Sequence, residues 1–128
     1  PSRCEGRPVT EYVVLIVGDA DRWWTTMSVE QRTAGYAEYN RFGAELTRRG
    51  HKITGGAELH ASGEARSIPA GGGAPTEGPF AEVTEQVGGF YQVETDDLDD
   101  LVDCCQIIAA LGDGIEVRRV VKPEDRPS

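Results

Sequence analysis

Tyr12-Val13-Val14-Leu15-Ile16-Val17 is the longest apolar run in the chain, and Gly18-Asp19-Ala20-Asp21 stops it. The run is continuous rather than alternating and rich in β-branched residues. That pattern predicts a central strand covered on at least one face, and the run is too short to cross a bilayer. Trp23-Trp24 follows in a short connection. Ser28 then opens a helix. Ser28 and Gln31 match a capping box, in which each side chain satisfies an orphan backbone N–H of the first turn. Tyr36, Tyr39, Phe42 and Leu46 recur at helical spacing and line one face. Gly50 stands at the expected stop. Gly35 and Gly43, inside the helix, weaken it by about 1 kcal/mol each relative to Ala.

Working outward, residues 51–59 read as a second strand, with Gly55-Gly56 marking a bulge or a close backbone approach. Residues 65–68 suggest a short strand in a hairpin with it. Gly71-Gly72-Gly73-Ala74-Pro75 is a loop, and 88–94 returns to strand character through Phe90, Tyr91 and Val93. The second helix is the clearest element. Asp96 or Asp97 caps it, and acids in its first turn suit the helix dipole. Leu98, Leu101, Val102, Cys105, Ile108 and Ala109 form its apolar stripe, and Gly112 and Gly114 end it. Residues 115–121 are the last strand.

The order β-α-β-(β)-β-α-β defines the ferredoxin-like split βαβ arrangement. The fold class is therefore α+β, ferredoxin-like βαββαβ. Right-handed crossovers put both helices on one face of an antiparallel sheet. The other face needs cover, and a symmetric second sheet supplies it. The expectation is a homodimer with sheets face to face, a dimeric α/β barrel. The division along the chain is an arm at 1–10, a domain at 11–121 and a polar tail at 122–128.

The chain has 128 residues, 38% of them hydrophobic, which fits one globular domain. Its net charge of −9 argues against nucleic acid and against anionic lipid as partners. Residues 1–8 carry no apolar core of a signal peptide. The three cysteines, Cys4, Cys104 and Cys105, give no disulfide framework. A reduced, cytoplasmic protein is the expectation. Cys105 falls on the apolar stripe and Cys104 off its centre, so both read as structural thiols.

No metal or cofactor is expected. There is no CxxC or HxxxH, no alternating-acid calcium loop, and no Lys-Ser/Thr after Gly71–Gly73. His51 and His60 are nine residues apart, which is no zinc pattern. His51 follows a helix C-terminus, where a cation suits the dipole. It reads first as a surface or strand-edge residue and second as a general base. The aromatic residues read as core, or as the lining of an apolar ligand pocket between sheet and helices.

Thr76-Glu77-Gly78-Pro79-Phe80-Ala81-Glu82-Val83-Thr84-Glu85-Gln86-Val87-Gly88-Gly89-Phe90-Tyr91 is harder to explain as packing. It joins a Gly-Pro turn, an acidic segment and a Gly-Gly pair. The run resembles the signature of the YCII-related family in its DGPF branch. Gly18-Asp19, the helix with Tyr36 and Tyr39, Asp97-Leu98-Asp99 and Glu116-Val117-Arg118 also match, so the resemblance spans about residues 11–121.

The resemblance implies the dimeric α/β barrel and a small-molecule ligand. Related proteins are proposed to use a His–Asp pair with the His on the first helix, and one relative removes HCl from a chlorinated hydroxyquinol. Residues 28–49 contain no His, so that dyad does not carry over; Tyr39 lies near its place. Glu77 stands for the first Asp of the signature, and the Pro usual before the last strand is missing. The acid–base candidates are Tyr39, Glu77, Glu82 and His51, with Tyr36 a further source. The ligand-binding candidates are Trp23, Tyr36, Phe80, Tyr91 and Arg118. The signature run itself is expected to form a wall of the site, with Glu77 or Glu82 facing it and Phe80 anchoring the turn. Two functions are compatible with this set. One is a cofactor-independent isomerase, cyclase or lyase acting on a small apolar or aromatic metabolite. The other is a non-catalytic ligand-binding module in transcription control, as relatives fused to sigma factors suggest.

Overall fold

The computed structural model describes residues 9–80 and 86–127. Strand β1 (Glu11–Gly18) is followed by the short helix α1 (Ala20–Thr25) and the long helix α2 (Val29–Arg48). Strand β2 (Lys52–Glu58) leads to two short strands, β3 (Arg66–Ser67) and β4 (Thr76–Glu77), and then to β5 (Gln86–Glu94). Helices α3 (Leu98–Cys104) and α4 (Gln106–Ala109) precede the last strand, β6 (Gly114–Arg119). The main sheet runs β2-β5-β1-β6, antiparallel throughout. With β3 and β4 set aside, this is the ferredoxin-like α+β fold. No described helix is long and apolar enough to cross a membrane.

Burial follows the strand alternation. Tyr12, Val14 and Ile16 of β1 pair with Val93, Tyr91 and Gly89 of β5, and these positions face the helices. Val14, Ile16 and Val93 join Phe42, Leu46, Leu101, Cys104, Cys105 and Ile108 in one buried core. Phe42 meets the Tyr91 ring edge to face at 5.3 Å. The alternate positions Val13, Leu15 and Phe90 point to the other face of the sheet, away from this core. The irregularity expected near Gly55-Gly56 is present, and a second one occurs in the pairing of β1 with β5. Register slips between Ile53 and Gly55 in β2 and between Ile16 and Val17 in β1, the second opposite Gly88.

The first long helix begins and ends as its sequence dictates. The Ser28–Gln31 capping box is complete, and Gly50 takes a left-handed φ of 88° after the last turn. Four other local expectations are corrected. Trp23 and Trp24 lie in a helix rather than a connection, because the Asp19 side chain caps it on the Arg22 N–H. The strand near residue 66 pairs with Thr76–Glu77 and not with β2. Its hairpin is closed by Gly78 N–H to the Ala65 carbonyl and by the Ser67 hydroxyl to the Gly78 carbonyl.

The second helix breaks at Cys105, whose N–H is shared between the carbonyls of Leu101 and Val102. Its buried stripe is Leu101, Cys104, Cys105 and Ile108, whereas Leu98 and Val102 are 41% and 43% exposed. Cys104 is therefore a core residue, contrary to its expected place off the stripe, and both described thiols are free.

His51 is the fourth correction: it is 3% exposed, not a surface residue. Its Nε2 lies 2.7 Å from Asp100 Oδ2 and its Nδ1 2.6 Å from Thr95 Oγ1. A neutral ring protonated on Nε2 satisfies every partner. It donates to Asp100 and accepts from the Thr95 hydroxyl, whose oxygen in turn accepts the Asp97 N–H at 3.0 Å. Arg49 joins the same carboxylate at 3.0 Å. The His51 bond, seconded by Arg49, holds the Asp100 carboxyl below its ordinary range. A lowered carboxyl stabilises the fold above the unfolded value near pH 4 and loses that contribution as pH falls through the folded value.

Phe42→Ala is expected to cost about 3–5 kcal/mol in urea unfolding, since it empties a fully buried ring site. Phe80→Ala, at a position 80% exposed, is expected to stay within about 0.5 kcal/mol of the parent. Equal losses would place the core elsewhere.

Candidate functional site

The apolar stripe of α2 is core only at its C-terminal end. Towards the N-terminus, Ala34 and Gly35 on the helix face Gly18, Gly88 and Gly89 on the sheet, and side chains do not fill the space. A cavity of about 700 Å³ results, within the range of small-molecule sites. Helix α1 lies over it. It buries no residue of its own and is tied down by three contacts to the segment after β2. The Trp24 indole stacks on His60 at 4.4 Å, its Nε1 donates to the Leu59 carbonyl at 3.4 Å, and Asp21 accepts from both the N–H and the hydroxyl of Ser62.

Two glycines are required by close approach. A Cβ on Gly35 would lie 2.6 Å from the Trp23 ring, which meets Tyr36 edge to face at 5.0 Å. A Cβ on Gly18 would collide with Oδ1 of Asp113. The glycine that weakens the helix locally is thus the one that lets Trp23 close the cavity wall.

Two phenol–carboxylate pairs mark the cavity. Tyr39 donates to Asp113 Oδ2 at 2.6 Å, and Tyr36 donates to the Glu58 carboxylate at 3.0 Å. Tyr36 and Tyr39 are three residues apart, so both pairs sit on one face of α2. Burial, reinforced by the bond to Asp113 and by its charge, pushes the Tyr39 phenol far above its ordinary value. Tyr39 therefore stays protonated through the neutral range and acts as a donor. Burial raises Tyr36 and Tyr91 as well, with the Glu58 charge adding to both.

Four of the sequence candidates meet here: Trp23, Tyr36, Tyr39 and Tyr91 line the cavity. Four lie elsewhere. His51 is in the buried network below α3, Glu77 is exposed on the β3–β4 hairpin, and Phe80 points to solvent. Arg118 pairs with Val13 and so projects from the sheet face opposite the cavity. Glu82 lies outside the described residues. Among its described residues, the signature run reaches the cavity at its end, from Gly88 and Gly89 to Tyr91, rather than through Glu77.

Asp113 and Glu58 were not singled out from the sequence. Asp113 sits in Leu111-Gly112-Asp113-Gly114, which reads as a helix stop. An acid flanked by glycines at the mouth of a strand was the available signal. His51, Asp100 and Cys104 bring three possible ligand atoms within 4.8 Å of one another, yet both ring nitrogens of His51 are already engaged.

A family model described as the YCII-related domain matches residues 10–124. A search of the curated proteins found no match to the chain.

In an alkaline absorbance titration, one tyrosine is expected to ionise well above pH 10, and Asp113→Asn is expected to lower that value by removing a like charge. Because the phenol is raised, its contribution to stability is present below about pH 10 and lost above it. A titration that Asp113→Asn leaves unchanged would refute the pairing.

Proposed function

The chain belongs to the YCII-related family, and from that premise we propose that it binds a small molecule in the cavity beneath α1, with Tyr39 and Asp113 as the acid–base pair of a cofactor-independent reaction. The observation that carries this reading is the 2.6 Å Tyr39–Asp113 bond at the edge of a cavity walled by aromatic rings. One carboxylate oxygen of Asp113 is held by the phenol, which leaves the other to take a proton from a substrate carbon. Returning that proton to a different atom is isomerisation; releasing it to solvent as a leaving group departs is elimination. Tyr39 keeps its own proton and serves as a hydrogen-bond donor, to Asp113 or to a developing oxyanion on the substrate. Trp23, Tyr36 and Tyr91 hold the apolar body of the ligand. The run from Thr76 to Tyr91 supports placement in the DGPF branch, and it contributes Gly88, Gly89 and Tyr91 to the site.

The second part of the reading is a homodimer. Val13, Leu15 and Phe90 form an apolar strip on the face of the sheet opposite the core. A second copy of the same strip would cover it by two-fold symmetry.

Aromatic fragments screened by NMR are expected to shift the indole signals of Trp23 and Trp24. Tyr39→Phe and Asp113→Asn are expected to weaken fragments that bear a polar group by about 1–3 kcal/mol while melting stays nearly unchanged. Shifts confined to the hairpin or to the outer sheet face would move the site there. Binding without turnover of any proton-labile compound would favour the regulatory module. Sedimentation at micromolar concentration is expected to give twice the chain mass of 13.9 kDa, and a monomer at that concentration would refute the dimer.

A further inference from the structure

The ionisable groups around the cavity are unbalanced. Asp19, Glu38, Glu58 and Asp113 line it, against Arg22 alone. Two of the acids are already committed: Asp19 caps α1 on the Arg22 N–H, and Glu38 pairs with Arg41 at 2.8 Å. Glu58 and Asp113 are different. Each accepts a phenol O–H, which satisfies an oxygen but leaves the negative charge in place. Among the described residues, no Lys, Arg or His forms a salt bridge with either. The charge of Glu58 is also felt at Tyr39, the partner of Asp113, so both carboxylates act on the same stretch of the cavity.

We propose that the cavity selects small organic cations: a protonated amine carried on a flat apolar body, with the ammonium group at Glu58 and Asp113 and the body against the aromatic wall. Two independent features of the wall favour the same sign of charge. Carboxylates without a cationic partner attract an ammonium group, and they do so more strongly where the cavity excludes water. The aromatic rings add the negative faces of their π systems, which attract cations and not anions. An anionic ligand of the same size would meet four acids and one guanidinium. This inference rests on the cavity being a ligand site, and it adds the chemical class of the ligand.

The test compares tryptamine, tryptophol and indole-3-acetate, which share one ring and are cationic, neutral and anionic near pH 7. Calorimetry at fixed ionic strength is expected to show tryptamine binding at least tenfold more tightly than tryptophol, with indole-3-acetate weakest. Glu58→Gln and Asp113→Asn, checked for unchanged melting, are each expected to shrink the tryptamine advantage several-fold. Glu116→Gln makes the same change in net charge on the opposite face of the sheet and is expected to leave it intact. An equal loss in Glu116→Gln would show general attraction to an acidic chain and overturn the proposal. Equal binding of all three compounds, or a preference for the acid or the alcohol, would overturn the cation inference and leave the cavity standing as a ligand site. Failure of all three to bind at millimolar concentration would overturn both. If either cavity variant fails to fold, the order of affinities in the parent protein still decides the question.

Discussion

The packing of α2 across β1 and β5 is the contact on which the rest of the structure depends. Phe42 and Leu46 bury fully against Val14 and Val93, and Phe42 locks onto the edge of Tyr91. That contact fixes the rotation of the helix about its axis. Once it is fixed, Tyr39 and Tyr36, at helical spacing from Phe42, must point along the same face into the space that the core does not fill. One stripe of side chains thus serves two purposes. Its C-terminal half removes apolar surface from water, and its N-terminal half presents hydroxyl groups to a cavity.

The cavity exists because small residues meet across that gap. Gly18, Gly88 and Gly89 leave the sheet bare just where Ala34 and Gly35 leave the helix bare. Each of these glycines weakens its own element, since glycine gives up more backbone freedom on folding than other residues. Their coincidence at one end of the fold marks a place where local stability gives way to an open volume. Helix α1 covers that volume without burying any residue of its own, and its hold on the segment after β2 rests on a stacked ring pair and a few hydrogen bonds. Helix α1 is therefore held by few contacts, the kind of element whose local opening costs little.

The two histidines show why residue type alone misleads. His51 carries the chemistry of a general base, yet both ring nitrogens are spent joining the end of α2 to the start of α3 through Thr95 and Asp100. Its partners are 44 and 49 residues away in sequence, and no local pattern announces them. His60, exposed as a surface reading of it expects, stacks on Trp24 and steadies α1.

The sequence by itself determined the order of the four main-sheet strands and of the two main helical regions, the start and stop of α2, the face that α2 buries and the bulge in β2. These rest on interactions between near neighbours: a Ser–Gln capping box, a glycine at the helix end, apolar residues at three- and four-residue intervals. The aromatic lining was legible for the same reason, since Tyr36 and Tyr39 share the stripe with Phe42. Tertiary structure alone decided which acids work beside those rings. Asp113 reaches Tyr39 across 74 residues and Glu58 reaches Tyr36 across 22, so each acid gains its partner only when the strands and α2 are assembled. It also decided that Glu77, prominent in the signature run, stays on an exposed hairpin, because β4 pairs with β3 and not with the main sheet. A carboxylate next to a phenol is a fact of chain crossing, and chain crossing is set by the burial of the whole sheet rather than by any short stretch of residues.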